Sequence, residues 1–224
     1  MESIVISIGG SVLFSDEINE DFFIQLDQLL QKQITKYRIY LIIGGGKKAR
    51  KLIHQGREQG LPEEKLDEIG IKVTRENAKK ITMKIKNSNK IIPESTNQAK
   101  NLDEKIVIMG GTTPGHSTDM VGAELAEKTN ALKFIIATNV DGVYDKDPNK
   151  YPDAIQIKEI TIKNLIYEYG TDWRTAGRNV VIDGPALKII EKAKIPTYVL
   201  NGKKLEELEK ALNNEQFNGT IIKI

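Results

Sequence analysis

The stretch "KIVIMGGTTPGHSTDMVGAELAEK", residues 105–128, places a glycine-rich loop between an apolar, strand-like run and a helical pattern. This order is typical of α/β proteins with a parallel sheet. The loop itself, G-G-T-T-P-G-H-S from Gly110 to Ser117, approaches the P-loop pattern, but His116 stands where that pattern has lysine. The stretch therefore has the setting of a P-loop without its cation, which leaves open whether it holds a phosphate, and which one.

The same alternation extends over the whole chain. Compact β-branched runs, which suit strands buried on both faces, are found at 4–8, 38–43, 105–109, 133–138 and 195–200. Helical patterns lie between them, at 21–36, 47–59, 62–86, 119–128, 160–168, 185–194 and 203–212. The segment 141–157, with two prolines and several aspartates, predicts a turn-rich hairpin outside this alternation. We therefore predict an α/β fold with a largely parallel sheet.

Length and composition narrow the class of protein. With 224 residues and 39% hydrophobic residues, the chain can form one core or two small lobes that share a sheet. The net charge of +2 argues against a nucleic-acid surface, and the absence of cysteine excludes disulfides, thiolate nucleophiles and Cys-ligated zinc. No apolar run approaches the ~20 residues that span a bilayer. We expect a cytoplasmic protein with neither membrane nor nucleic-acid partners.

Three of the predicted strands end in glycine-rich turns, at 7–11, 43–51 and 109–119. In open parallel sheets, ligands bind beyond the carboxyl ends of the strands, and glycine lets backbone N–H groups approach a ligand closely. One such turn can be a plain tight turn, but three at one edge would form a trough for more than one phosphate group. The polar, acidic segment 138–148 follows a fourth strand and could hold an adenosine, with carboxylates near Mg²⁺.

These motifs, in this order, resemble those of the amino acid kinase family. "GGS", "GGGKKAR", "GIKVTRENA", "GGTTPGHSTD" and "TNVDGVYDKDP" are most similar to the archaeal type of uridylate (UMP) kinase, over nearly the whole chain. The resemblance implies an αβα sandwich with a central, mostly parallel sheet. It also implies a single domain, 1–224, with an acceptor-binding lobe (about 1–130) and an ATP-binding lobe (about 131–224). The implied activity is Mg²⁺-dependent phosphoryl transfer from ATP to UMP in pyrimidine biosynthesis, by a homohexamer built as a trimer of dimers.

The resemblance assigns an acceptor site around the third glycine loop. Asp67 would accept hydrogen bonds from the ribose of UMP, although by itself it reads as an ordinary charge on a helix. His116 is expected to contact the ligand or pack, since phosphoryl transfer needs little proton chemistry from the protein. Arg75 belongs either to this site or to a subunit contact. The implied UMP-binding residues are Gly45, Asp67, Thr112, Thr113, Pro114, Gly115, His116, Ser117 and Thr118.

The ATP site and the catalytic residues follow in the same way. The implied ATP-binding residues are Ser7, Ile8, Gly9, Gly10, Ser11, Gly46, Arg50, Thr138, Asn139, Tyr144 and Asp147. Of these, Gly9, Gly10 and Arg50 are also expected to act in catalysis, together with Asp119. Asp119 is in addition a plausible N-cap of the helix that it begins. The resemblance assigns no side chain as a direct metal ligand.

The first loop departs from the family pattern. Many members carry a lysine two residues before the first glycine of this loop, and here the position is Ser7. The missing charge could be supplied by Mg²⁺, Lys47, Arg50, or Arg178 in the segment 171–190, where "RN" (Arg178 and Asn179) and "DGPA" differ from archaeal relatives.

Other members of the same fold provide the alternatives. Isopentenyl phosphate kinases carry a histidine in the second glycine loop, whereas here His54 lies two helical turns beyond that loop. Acetylglutamate kinases have a longer chain and a lysine in the first loop, so they fit poorly. The absence of that lysine also leaves open a non-catalytic nucleotide or oxyanion binder.

Overall fold

A computed structural model describes residues 1–15, 18–171 and 181–224. The strands of this part of the chain are β1 (Glu2–Ile8), β2 (Tyr37–Ile43), β3 (Ile106–Met109), β4 (Lys133–Thr138), β5 (Val143–Tyr144), β6 (Gln156–Ile157), β7 (Glu159–Thr161), β8 (Thr197–Asn201) and β9 (Gly219–Lys223). The helices are α1 (Gly10–Leu13), α2 (Glu20–Gln33), α3 (Gly46–Glu58), α4 (Glu63–Thr82), α5 (Thr96–Asn101), α6 (Thr118–Thr129), α7 (Ile162–Tyr169), α8 (Gly184–Ala193) and α9 (Leu205–Leu212).

Seven of these strands form the central sheet, in the order β3-β2-β1-β4-β8-β9-β7. The first five in this order run parallel, so the fold class inferred from the sequence is confirmed. β9 pairs antiparallel with β8 and parallel with β7. The hairpin predicted in 141–157 is also present, because β5 pairs antiparallel with β6 outside the main sheet.

Helices cover both faces of the sheet. Ile4, Ile6 and Ile8 of β1 are buried on one face, in a cluster with residues of α2, α4 and α9. Val5, between them, packs on the other face with residues of α5, α6, α7 and α8. Alternate side chains of a strand point to opposite faces, so a continuous apolar run is what burial on both faces requires.

Several helix bounds differ from those that the sequence predicted. The helix predicted at 160–168 begins at Ile162, because Glu159–Thr161 pairs with β9 instead. The helix predicted at 62–86 ends at Thr82. Beyond it, the Asn89 side chain accepts from the Ile108 backbone N–H (2.6 Å) and donates to the Ile108 carbonyl (2.9 Å). Asn89 thus pairs with the backbone of β3 along the outer edge of that strand.

The parallel strands bring their carboxyl ends to one edge of the sheet. β1, β2, β3, β4 and β8 end there at Ile8, Ile43, Met109, Thr138 and Asn201. Every glycine-rich turn noted in the sequence therefore opens at this edge. In the described ranges, no helix combines the length and apolar character that crossing a membrane requires.

Candidate active site

The first two glycine loops touch each other through their backbones. The Gly44 N–H donates to the Ile8 carbonyl at 2.9 Å. A Cβ on Gly10 would lie 2.4 Å from the Gly44 oxygen and the Gly46 nitrogen, so no larger residue fits at Gly10. Gly46 has φ +66°, which also favours glycine. The close contact fixes the start of α3 beside the end of β1.

The other residues expected in these loops lie at the same place. Ile8 is the buried last residue of β1, and Gly9 donates its N–H to the Ala137 carbonyl at 2.9 Å. Gly9 caps α1, in which Gly10 and Ser11 are the first two residues. Gly45 caps α3 in the same way. The structure therefore brings together the residues expected around the phosphates.

Asp67 contacts the third glycine loop directly. Its Oδ2 accepts a hydrogen bond of 2.7 Å from the Gly115 N–H, across 48 residues of sequence. Gly115 has φ +80°, and a Cβ there would meet nothing within 4 Å. The carboxylate that the family resemblance assigned to the acceptor thus lies against the loop assigned to the same acceptor, with its second oxygen available to a ligand.

Two buried polar atoms of this loop lack a partner in the described part of the chain. They are Oγ1 of Thr112 and Nδ1 of His116. Buried polar atoms nearly always find a partner, so orphaned ones beside an open loop favour a ligand contact. Thr113 and Pro114 are exposed at the tip of the loop, and Thr118 is the partly buried first residue of α6.

Two carboxyl groups, those of Asp119 and Asp183, contact serines of the first and third glycine loops. Ser7 donates to Oδ1 of Asp119 at 2.7 Å, and Ser117 donates to Oδ2 of Asp183. The Asp119 carboxyl lies among protein atoms although the residue is partly accessible, and burial raises its pKa to about 6, against the lowering effect of the Ser7 hydrogen bond. Burial, and then the charge of Asp119, raises the pKa of Asp183 to about 7. The helix starts of α6 and α8 therefore converge on a pair of carboxyls that resist ionisation.

The predicted N-cap role of Asp119 is not observed. The cap of α6 is Ser117, whose Oγ accepts from the Met120 N–H at 2.9 Å, and Asp119 lies in the first turn. Ser117 is better placed because its backbone is extended, as a capping residue requires. This leaves the Asp119 carboxyl free to face Ser7.

The residues expected to bind ATP lie at the end of β4 and within the hairpin of β5 and β6. Thr138 ends β4, Asn139 is exposed beside it, and Tyr144 is partly buried in β5. Burial and then the charge of Asp141 raise the pKa of Tyr144. Asp147 accepts from the Asn149 backbone N–H at 3.0 Å, so its carboxylate also shapes the turn of the hairpin.

The candidate cations differ in their surroundings. Arg50 is exposed on the first turns of α3, and no hydrogen bond or ion pair holds its side chain to another described residue. Lys47 is exposed on the same helix. Arg178 and Asn179 lie outside the described residues, so their roles stay predictions.

A comparison with known protein families identifies the family to which these glycine-rich loops belong. A model described as "Amino acid kinase family" matches residues 2–201. The chain belongs to the amino acid kinase family. It is 40% identical over 223 residues to the uridylate kinase of Methanobrevibacter smithii, and 43% identical over 229 residues to that of Methanococcus aeolicus, with 98% of each chain covered in both cases.

A solved structure agrees with this assignment. The crystal structure of uridylate kinase from Archaeoglobus fulgidus matches this amino acid kinase with a TM-score of 0.85 and 38% identity, covering 98% of this chain and 99% of that one. The αβα arrangement is therefore the amino acid kinase fold, as the sequence motifs implied.

Three polar residues at the same edge were missed by the sequence analysis. Asp141 accepts from Asn201 (2.9 Å) and from Lys204 (2.9 and 3.0 Å). Burial raises the pKa of Asp141, but these hydrogen bonds outweigh it and hold the pKa below its usual value. The sequence could have indicated this group, because "NGKK" (201–204) lies at the end of a parallel strand, as the glycine-rich loops do. These hydrogen bonds tie the segment after β4 to the end of β8.

Asp183 was missed for a different reason. Its Oδ1 accepts from the Ala186 N–H at 2.9 Å, so in sequence it reads only as the N-cap of α8. Its nearness to Asp119 depends on the packing of α6 against α8, which no local pattern reveals.

Proposed function

We propose that this protein is a uridylate kinase, which transfers the γ-phosphoryl group of ATP to UMP and forms UDP for pyrimidine nucleotide biosynthesis. The observation that carries the proposal is the contact between Asp67 and Gly115. It places a carboxylate suited to bind ribose hydroxyls against the third glycine loop, which is suited to bind a phosphate. The similarity to archaeal proteins named uridylate kinase supports it. The acceptor would contact Asp67 and the loop residues Gly45, Thr112, Gly115 and Ser117.

The chain contributes mainly position and electrostatics to this reaction. Backbone N–H groups of the first two loops would face the transferring phosphoryl group, which carries charge on its equatorial oxygens. Arg50, free of other partners in the described ranges, can turn towards these oxygens from the start of α3. Phosphoryl transfer asks little else of side chains, so His116 needs no role as a base.

ATP and Mg²⁺ fit the remaining half of the edge. Thr138, Asn139, Tyr144 and Asp147 would surround the adenosine. No group of three His, Cys, Asp or Glu side chains in the described residues could hold a metal by itself. That suits Mg²⁺, which usually takes one or two carboxylates plus substrate phosphates. Asp119 would help to orient the metal ion, which when bound would neutralise phosphate charge.

The proposal extends to the setting of the enzyme. We expect a cytoplasmic homohexamer, a trimer of dimers, that binds small nucleotides and neither membrane nor nucleic acid. We also expect the acceptor to bind in the lobe of about 1–130 and ATP in the lobe of about 131–224. Arg75 borders a groove of about 690 Å³ that also contains the exposed Ile91. A subunit contact there stays a prediction.

Parallel turnover assays test the substrate. ATP should be consumed fastest with UMP, and more slowly with CMP and dUMP. Equal or faster turnover of isopentenyl phosphate or acetylglutamate would contradict the proposal, and binding of UMP and ATP without turnover would favour the non-catalytic alternative. Isopentenyl phosphate is not favoured, because His54 is exposed on α3, with Nδ1 3.4 Å from Oε2 of Glu58 and away from the second loop.

A further inference from the structure

Side chains of the motif "TRENA" (74–78) hold the backbones of two of the glycine loops. Arg75 donates from Nε to the Gly111 carbonyl at 3.0 Å and from Nη2 to the Thr112 carbonyl at 2.9 Å. A guanidinium presents its donors in a rigid fork, so two neighbouring carbonyls fix the loop more firmly than one would.

The start of the third loop is also packed against the backbone of α4. A Cβ on Gly110 would lie 2.7 Å from the backbone nitrogen of Arg75. The Gly111 N–H donates to Oγ1 of Thr74 at 2.7 Å, and that hydroxyl donates to the Ile71 carbonyl at 2.7 Å. The approach of the loop to the helix thus requires glycine at position 110 and leaves little room for a side chain at Gly111.

Asn77, half a turn further along α4, holds the second glycine loop. Its Nδ2 donates to the carbonyls of Gly44 (3.0 Å) and Gly45 (3.3 Å), and the side chain is buried. One short stretch of α4 therefore contacts the backbones of both loops assigned to UMP. The carbonyls face the helix and are satisfied by it.

We propose that Arg75 is a positioning residue for the phosphoryl acceptor, and that it acts by holding the carbonyls of Gly111 and Thr112 on α4. Loops of this kind are otherwise mobile, and a loop ordered before binding spares the ligand the cost of ordering it. Arg75 contacts none of the residues expected to bind ATP, so its effect should be confined to the binding of the phosphoryl acceptor. The identity of that acceptor rests on the proposed function.

The ion pair of Arg75 does not account for these contacts. Nη1 lies 3.0 Å from Oε2 of Glu94, whose side chain is 68% exposed. Exposed pairs of this kind contribute little, whereas the partly buried hydrogen bonds to the two carbonyls are charge-assisted. Glu94 therefore provides a matched control, because its removal breaks the ion pair and leaves the fork in place.

The test compares Arg75→Met with Glu94→Gln. We expect Arg75→Met to raise the KM and the calorimetric Kd for UMP by about tenfold or more, while the KM for ATP stays within about twofold. Hydrogen exchange of ligand-free protein should show faster exchange of the amides in 110–117 in Arg75→Met. Glu94→Gln should match the wild type in every measurement. Arg75→Lys, which keeps the charge without the fork, should fall between them and serves if the Met variant does not fold.

Three results would overturn the inference. They are unchanged amide exchange in 110–117, an equal rise of the KM for UMP and for ATP, and a loss in Glu94→Gln as large as that in Arg75→Met. The exchange measurement needs no turnover. If wild-type protein failed to phosphorylate UMP, the proposed function would fall, and the exchange data would still decide the role of Arg75.

Discussion

The hydroxyl of Ser7 donates a 2.7 Å hydrogen bond to Oδ1 of Asp119 and so joins the end of β1 to the first turn of α6. Many members of the family are expected to carry a lysine at the position of Ser7. In this protein, Asp119 has a neutral partner, and burial raises its pKa to about 6 despite that hydrogen bond. Asp183, whose pKa is about 7, adds a second carboxyl that resists ionisation.

Ionisation of this pair should lower the stability of the fold. Asp183 binds its proton more tightly in the folded state, so folding stability falls as pH rises from the usual pKa of 3.8 to about 7. Asp183→Asn removes this charge and keeps an N-cap for α8. We expect it to raise the free energy of unfolding at pH 8 by ~1–2 kcal/mol, a few degrees in Tm, and to have less effect at pH 5. Thermal unfolding at both pH values measures this.

The control for this prediction is Asp103→Asn, at an exposed position. It should change the Tm at pH 5 and pH 8 by similar, small amounts. An Asp183→Asn variant that behaved like this control would show that the Asp183 carboxyl is solvated well enough to ionise freely.

Ser7 should set the pH dependence of turnover through Asp119. Ser7→Ala removes the hydrogen bond that lowers the pKa of Asp119, so the acid limb of the kcat profile should move to higher pH. Ser7→Lys places an ammonium beside the carboxyl and should move the limb to lower pH. Ser3→Ala is the matched control, since Ser3 lies at the other end of β1 and donates to the Thr129 carbonyl. An acid limb that stays in place in both Ser7 variants would assign it to another group.

The strands of the parallel part of the sheet could be predicted from the sequence, because burial on both faces demands continuous apolar runs such as Ile4–Ile8. β7 and β9 could not. β7 is only three residues long, and in β9 the exposed Ile221 and Lys223 alternate with buried Thr220 and Ile222. A short edge strand such as β7, and a half-exposed strand such as β9, depend on their pairing partners more than on their own composition.

The sequence also placed the glycine loops correctly, because parallel strands must end at one edge. It could not reveal contacts between side chains and distant backbone. Arg75 reads locally as one more charge on a helix, and its fork onto Gly111 and Thr112 depends on the packing of α4 against the loop after β3. The Asp119 and Asp183 pair depends in the same way on two helices meeting.

Arg50 is predicted to supply part of the missing positive charge. It is exposed and free of partners within the described ranges, at the start of the helix that follows the second loop. We expect Arg50→Ala to lower kcat by about a hundredfold, a loss of ~2.7 kcal/mol of transition-state stabilisation. Lys51→Ala, at the next exposed position of α3, should leave kcat within about twofold of wild type if only Arg50 reaches the phosphates.

Steady-state kinetics at saturating Mg²⁺ compare these variants with Arg178→Ala, for which we expect a smaller loss of kcat and little change in either KM. If Arg50→Ala and Lys51→Ala lowered kcat equally, the effect would be one of general surface charge, and the compensating cation would have to be sought elsewhere.

Asp67 is predicted to have two separable roles, because one carboxylate oxygen binds the third glycine loop and the other is left for a ligand. Oδ2 accepts from the Gly115 N–H, and the other oxygen can accept from the ribose. Asp67→Asn keeps one oxygen for Gly115 but weakens the ribose contact, and should raise the KM for UMP by roughly ten- to a hundredfold, the loss of one charge-assisted hydrogen bond. Asp67→Ala also releases the loop, so it should raise that KM further and speed amide exchange at Gly115.

The control for Asp67 is Glu64→Gln, at an exposed position on the same helix, which should alter neither the KM for UMP nor the amide exchange at Gly115. Were the KM for ATP to rise in place of that for UMP, Asp67 would belong to the other nucleotide, and the assignment of the third loop to the acceptor would be wrong with it.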